Sequence, residues 1–267
     1  ESNDIDTYTR DYFANNDPKL KAALDSIIND LRDAKEYGSI LTVAPVDFAA
    51  LYARVEEVQN DISLHREAAL ATILPLILVA EVLAQQYDVV VTNPPYMSLK
   101  GMPKALFEYV MKNHSTTKND IYCVFIEKCL KQYAKAHGYV AMITQQVWMF
   151  TSGFEKFRKD LLANYTINSL IQLGTKAFED ISGEVVQTCT FIIKSDRIAK
   201  SKTNFFRLVD ENSSSSKENA FLARKERYEV SSEQFSAVPG APICYWLSDK
   251  IFKIYQTSCL LYTSPSP

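Results

Sequence analysis

Glycine is scarce. Seven are scattered through 267 residues, and nowhere do two stand as Gly-x-Gly. No segment therefore has the form of a glycine-rich cofactor loop. The five cysteines, at 123, 129, 189, 244 and 259, stand alone, and none makes Cys-x-x-Cys. With three dispersed histidines this excludes a zinc-binding spacing, and no metal is expected. Cys123, Cys129 and Cys189 lie inside apolar stretches and read as core, which suits a reducing cytoplasm. No apolar run reaches the about 20 residues of a membrane span. The longest, Ala68 to Ala80, contains Pro75 and ends at Glu81, and reads as a buried helix. Nor does one sign of charge dominate: 29 Lys and Arg against 32 Asp and Glu give a net −3. Any nucleic-acid contact must then be a local basic face.

What is present supports a packed core, with 47% apolar and 12% aromatic residues over a length that permits one large domain or two small ones. The most informative stretch is Asn93-Pro94-Pro95-Tyr96, which follows Tyr87-Asp88-Val89-Val90-Val91-Thr92. Three consecutive valines read as a parallel-sheet strand buried on both faces. The prolines end the strand, fix φ and remove two N–H donors. In open α/β sheets, ligands bind beyond the carboxyl ends of strands. The loop suits a flat ring bearing an amino group. The Asn93 side-chain oxygen and the Pro94 carbonyl can each accept one N–H, leaving the nitrogen lone pair out of plane. Tyr96 can stack on the ring. No strong base is required, because the nitrogen becomes acidic as it forms a new bond and acquires positive charge.

Around this loop the chain alternates helices and strands, which argues α/β. Residues 18–36 have helical spacing on Leu20, Leu24, Ile27, Ile28 and Leu31, and 47–84 reads as two helices meeting near Pro75. Helices are expected near 103–113, 120–136 and 153–163, and strands at 87–92, 139–144, 167–172 and 185–194. The last two strands have no helix between them and read as an antiparallel hairpin. Trp148 follows strand 139–144 and reads as packing. Phe205 to Val209 reads as a strand, and Ser213 to Ser216 as a flexible connector. Lys100, Lys104, Lys112, His114 and Lys118 form one candidate DNA-contacting cluster; Lys156, Arg158 and Lys159 form a second.

The loop resembles motif IV of the amino-methyltransferases that use S-adenosyl-L-methionine. Asn119 to Glu127 resembles the motif V helix of gamma-class N6-adenine DNA methyltransferases, and Gly138 to Thr144 the next strand. Leu173 to Phe178, then Val185 to Thr188, resembles the stretch that closes their target-base pocket. Within that class the wording is nearest to the PglX-type methyltransferases of BREX phage-exclusion systems, over about residues 1–195.

The resemblance implies a partial Rossmann-like methyltransferase sheet. It implies S-adenosyl-L-methionine as cofactor, double-stranded DNA with a flipped adenine as substrate, and other defence-system subunits as partners. It assigns amine binding to Asn93 and Pro94, with Pro95 in the same catalytic loop. Tyr96 would stack on adenine and Phe178 pack on it from another side. Apart from the resemblance, Lys100 and Lys104 of the first basic cluster are the substrate-contacting candidates. Phe125 would touch the cofactor's adenine, with Asn93 near the same group. Glu1-Ser2-Asn3 resembles the end of motif III, which makes Glu1 a candidate cofactor-side acid. Residues 1–86 would be a helical insertion, 87–195 the second half of a catalytic domain, and 196–267 a connector toward a recognition region. Residues 258–267 read as unrelated to what precedes them. The chain reads as an internal fragment that binds the cofactor poorly by itself. Other readings are a methyltransferase for a protein glutamine amide or RNA adenine, or a non-catalytic binding module.

Overall fold

The computed structural model describes residues 2, 5–178 and 186–258. Glu1, Val185 and the tail beyond Ser258 lie outside the described residues. The chain divides into two compact units, 1–86 and 87–267.

The first unit is helical. Asp6 caps α1 (Thr7–Ala14) through Thr9 N–H; Asp17 caps α2 (Pro18–Asp30), where Pro18 occupies the first turn, a position that has no use for its missing donor. A short α3 (Ala34–Tyr37) follows. Asp47 caps α4 (Phe48–Gln59), and α5 runs Arg66–Ala84. Leu24, Ile27, Leu31, Leu51, Val58, Ile73 and Ile77 form the core.

The expected meeting of two helices at Pro75 is corrected, because α5 continues through that proline. The break lies at residues 60–65, where polar Asn60, Asp61 and Ser63 interrupt the apolar period. Pro75 removes one helical hydrogen bond, and burial of Ile73, Leu76 and Ile77 around it offsets the loss. The 13-residue apolar run therefore sits in a 19-residue helix, long and apolar enough to cross a membrane by length and composition. Its buried stripe, Ala69, Ile73, Leu76, Ile77 and Ala80, has the spacing of a helix packed on α1, α2 and α4.

The second unit is built on six strands: β1 (Tyr87–Thr92), β2 (Ala134–Gln145), β3 (Thr166–Gly174), β4 (Thr188–Lys194), β5 (Lys202–Arg207) and β6 (Arg227–Ser231). They lie in the order β1-β2-β4-β3-β5-β6. β1 pairs parallel with β2, and β3 with β5; the other pairs are antiparallel. The α/β class and the late hairpin are both borne out, since β3 and β4 pair antiparallel. Helix α6 (Lys104–Asn113) and α7 (Ile121–Lys128) connect β1 to β2, with a π-helical turn at Cys129–Tyr133. Helix α8 (Glu155–Asn164) precedes β3. Gly138 sets the close approach of β2 to β1: a Cβ there would meet Asp88 O at 3.0 Å.

The valine run is not buried on both faces. β1 ends the sheet, and Val89 and Val91 are 58% and 72% exposed. Their face continues through Tyr139 and Ile192, both also exposed. The opposite face is the core: Val140, Met142 and Thr144 of β2, Cys189 and Phe191 of β4 and Leu170 of β3 lie under Trp148 and Phe157. Trp148 is fully buried and donates to Thr144 Oγ1, so packing is its role. Cys123, Cys129, Cys189 and Cys244 are buried free thiols.

The serine run is also not a loop. Ser213 caps α9 (Ser214–Leu222) with a reciprocal capping box to Ser216, the arrangement that makes Ser a helix start rather than a linker. β5 and β6 extend the same sheet, and α10 (Asp249–Ser258) closes the described chain.

Candidate active site

β1 runs parallel to β2 with Thr92 level with Met142, so the chain leaves the sheet at Asn93, on the strands' carboxyl side. Asn93 and Pro95 are exposed and Pro94 is buried. Among the described residues no hydrogen bond ends on the Asn93 carboxamide or the Pro94 carbonyl. Two acceptors thus stand at the end of β1 without a hydrogen-bond partner among the described residues.

Tyr96 is half-buried. Its hydroxyl lies 3.4 Å from Ile143 O, and its ring meets Tyr122 edge-on at 5.9 Å. Burial raises its phenol, and the Cys189 thiol and Asp120 carboxylate raise it further. The loop is fixed from behind. Met97 N–H donates to Asp120 Oδ1 at 3.1 Å, Ile121 N–H donates to Met97 O at 3.0 Å, and Leu99 N–H to Asn119 O at 3.1 Å. Asp120 also caps α7 by accepting from Tyr122 N–H. It is buried, which raises its carboxyl, while the N–H groups of Met97, Tyr122 and Ile121 oppose the rise. Asp120 escaped notice as a site residue, although an Asn-Asp pair before an apolar helix is a recognisable cap.

Of the substrate-side candidates, Lys100 and Lys104 are exposed on the segment after Tyr96, with Lys104 3.9 Å from Glu108. Lys112 is exposed and Lys118 half-buried. His114 does not belong with them. It is buried, and its Nδ1 lies 3.1 Å from Glu127 Oε2. Thr117 and Lys131 donate to the same carboxylate. The second cluster loses its arginine likewise. Arg158 is 1% exposed and donates to the carbonyls of Trp148, Thr151, Gly240 and Ala241. A planar fork of donors suits converging carbonyls, which take four of its five N–H groups and hold it 1% exposed, away from a phosphate in solvent.

Phe125 is half-buried on α7 between buried Val124 and Ile126. Phe178 is 39% exposed after β3. No ring contact joins either to Tyr96 among the described residues. As a cofactor test, the described residues offer Asn93 and Phe125 but no glycine cradle. The loop's two acceptors, Asn93 Oδ1 and Pro94 O, can take the hydrogens of an amine. Among the described residues no group of three His, Cys, Asp or Glu could hold a metal ion.

The chain is similar to known proteins over most of its length. It is 40% identical over 218 residues to the adenine-specific methyltransferase BrxX of Escherichia coli O9:H4 (strain HS), covering 80% of this chain and 18% of that protein. It is 34% identical over 253 residues to the adenine-specific methyltransferase PglX of Lacticaseibacillus casei (strain Zhang), covering 88% and 20%. To the type II restriction enzyme and methyltransferase RM.Eco57I of Escherichia coli it is 29% identical over 152 residues, covering 55% and 14%. The chain spans about a fifth of the length of the first two relatives. The model of the Eco57I restriction-modification methylase family matches residues 10–178, from α1 through the motif loop to Phe178, and the chain belongs to that family.

Proposed function

We propose that this chain carries the target-amine half of an adenine-N6 DNA methyltransferase of a phage-defence or restriction-modification system. One observation carries the reading: two acceptors that no described residue partners, Asn93 Oδ1 and Pro94 O, stand beside a half-buried tyrosine at the carboxyl end of a strand. The relatives named above as adenine-specific methyltransferases support it.

The two acceptors hold both hydrogens of the adenine amine and turn its lone pair out of the ring plane. Pro94 and Pro95 keep the loop rigid, so little order is lost when the amine docks. As the nitrogen forms its new bond it gains positive charge, and the two hydrogen bonds strengthen toward the about 1.5–3 kcal/mol of charge-assisted ones. Strengthening at that moment is what lowers a barrier. The proton then leaves to solvent beside exposed Asn93, and no general base is needed. S-adenosyl-L-methionine, when bound, supplies the methyl on a sulfonium. Tyr96 stacks on the flipped base, with Phe178 on another side. Lys100 and Lys104 meet substrate phosphates, and Phe125 lies on the cofactor side. Residues 1–86 act as a helical insertion, 87–195 as catalytic framework, and 196–267 lead toward DNA recognition.

The test is Asn93→Ala in the full-length protein, assayed on DNA, RNA and a release-factor-like protein. Methylation of DNA adenine by the wild type, abolished in the variant with cofactor affinity retained, is expected. Normal turnover in the variant, or transfer to RNA or protein instead of DNA, overturns the assignment.

A further inference from the structure

A row of hydrogen-bonded groups crosses the core face and ends in the open. Tyr245 is fully buried and stacked on Phe205, with centroids 4.7 Å apart and 4° between planes. Its hydroxyl donates to Gln172 Oε1 at 2.6 Å. Gln172 Nε2 donates to Gln146 Oε1 at 3.0 Å, and Gln146 Nε2 donates to Gln187 Oε1. Gln172 and Gln146 are buried; Gln187 is exposed.

The row has one direction. Turning one amide would set donor against donor or oxygen against oxygen. Reversing the whole row would leave the buried Tyr245 proton without an acceptor among the described residues, which is costly. The exposed end is therefore an NH2, and no described residue accepts from it.

That end lies by the proposed site. Gln187 O accepts Gln146 N–H at 2.9 Å, just past the carboxyl end of β2. Tyr96 reaches Ile143 O on the same strand, three residues earlier and so about 10 Å away. Thr144, Cys189 and Gln172 are register partners across β2, β4 and β3, so their side chains share a face. Tyr96 lies within electrostatic reach of Cys189 on that face.

We infer that Gln187, held by Gln146, is a specificity-determining donor: its NH2 binds a ring nitrogen of the target base while Asn93 and Pro94 accept from the exocyclic amine. Two acceptors and one donor match adenine, which carries an amine and bare ring nitrogens. They reject hypoxanthine and thymine, whose carbonyl would face the acceptors Asn93 Oδ1 and Pro94 O. The assignment rests on the reading of the chain as an adenine methyltransferase.

The experiment uses the full-length protein and DNA duplexes carrying adenine, 1-deazaadenine or 7-deazaadenine at the target. The wild type is expected to lose about 5- to 150-fold in kcat/KM on one analogue, the range of a good base contact. Gln187→Leu and Gln187→Glu are expected to lose as much on adenine and nothing further on that analogue. Gln187→Glu keeps an oxygen for Gln146 Nε2 and is expected to melt as the wild type does, whereas Gln187→Leu leaves that buried donor without its acceptor and is expected to melt lower. Equal wild-type rates on all three bases, or undiminished turnover of adenine by Gln187→Leu, overturn the inference alone. A wild type that transfers no methyl to any adenine overturns the underlying reading, and this inference with it.

Discussion

The Asp120 carboxylate accepts the backbone N–H of Met97 at 3.1 Å, one residue beyond Tyr96, while capping α7. One buried side chain thus ties the proposed amine-binding loop to the helix behind it. Tyr122, two residues on, meets the Tyr96 ring.

Asp120→Ala removes the cap, worth about 1 kcal/mol, and leaves the Met97 N–H without its acceptor. A catalytic loop displaced by about 1 Å costs on the order of 100-fold in rate. In the full-length protein Asp120→Ala is expected to lower kcat by about that factor, with KM for DNA nearly unchanged. Asp120→Asn keeps an oxygen in the same place and is expected to retain most of the rate. Parallel loss in both variants would show that charge, not placement, matters.

The parts legible in the sequence were those that short stretches dictate. A valine run stopped by two prolines marks β1 and its loop; Asn119-Asp120 before an apolar stretch marks α7. What escaped depends on distant partners. Val89 and Val91 carry the composition of a doubly covered strand, yet β1 lies at an edge. Arg158 sits in a basic run, and its acceptors at Gly240 and Ala241 lie 82 and 83 residues away. His114 likewise reads as a surface cation until Glu127 is placed beside it. The serine run was misread because Ser favours both linkers and helix starts, and only the reciprocal bonds of Ser213 and Ser216 decide between them.

Arg158 makes a prediction about stability rather than DNA affinity. Arg158→Met would orphan the carbonyls of Trp148, Gly240 and Ala241, while Thr151 O keeps the N–H of Phe154. Each buried group left unmade costs about 1–3 kcal/mol. Urea unfolding is expected to show a loss of at least about 3 kcal/mol. Arg158→Lys loses the planar fork and should be destabilised too, while the folded fraction binds DNA with wild-type salt dependence. A reduced salt slope in that variant would return Arg158 to the DNA-contacting surface.

Glu127 predicts how stability changes with pH. Burial alone pushes its carboxyl up, but hydrogen bonds from His114, Lys131 and Thr117 outweigh burial and bring it down to about 2. An unfolded carboxyl of this type titrates near 4.5, so between those values the unfolded chain binds more protons than the folded one. The stabilisation is therefore complete above about pH 4.5 and is lost as pH falls toward 2. With the side chain 12% exposed, screening takes little from it, and its size at neutral pH is about 3 kcal/mol. Glu127→Gln cannot titrate. Across pH 7 to 2 its stability should fall less steeply than the wild type's, with the gap between them closing below pH 4.5. A gap that stays constant through that window would mean that Glu127 titrates as it does in the unfolded chain. The network would then hold residues 114–117 against α7 by packing and neutral hydrogen bonds rather than by charge.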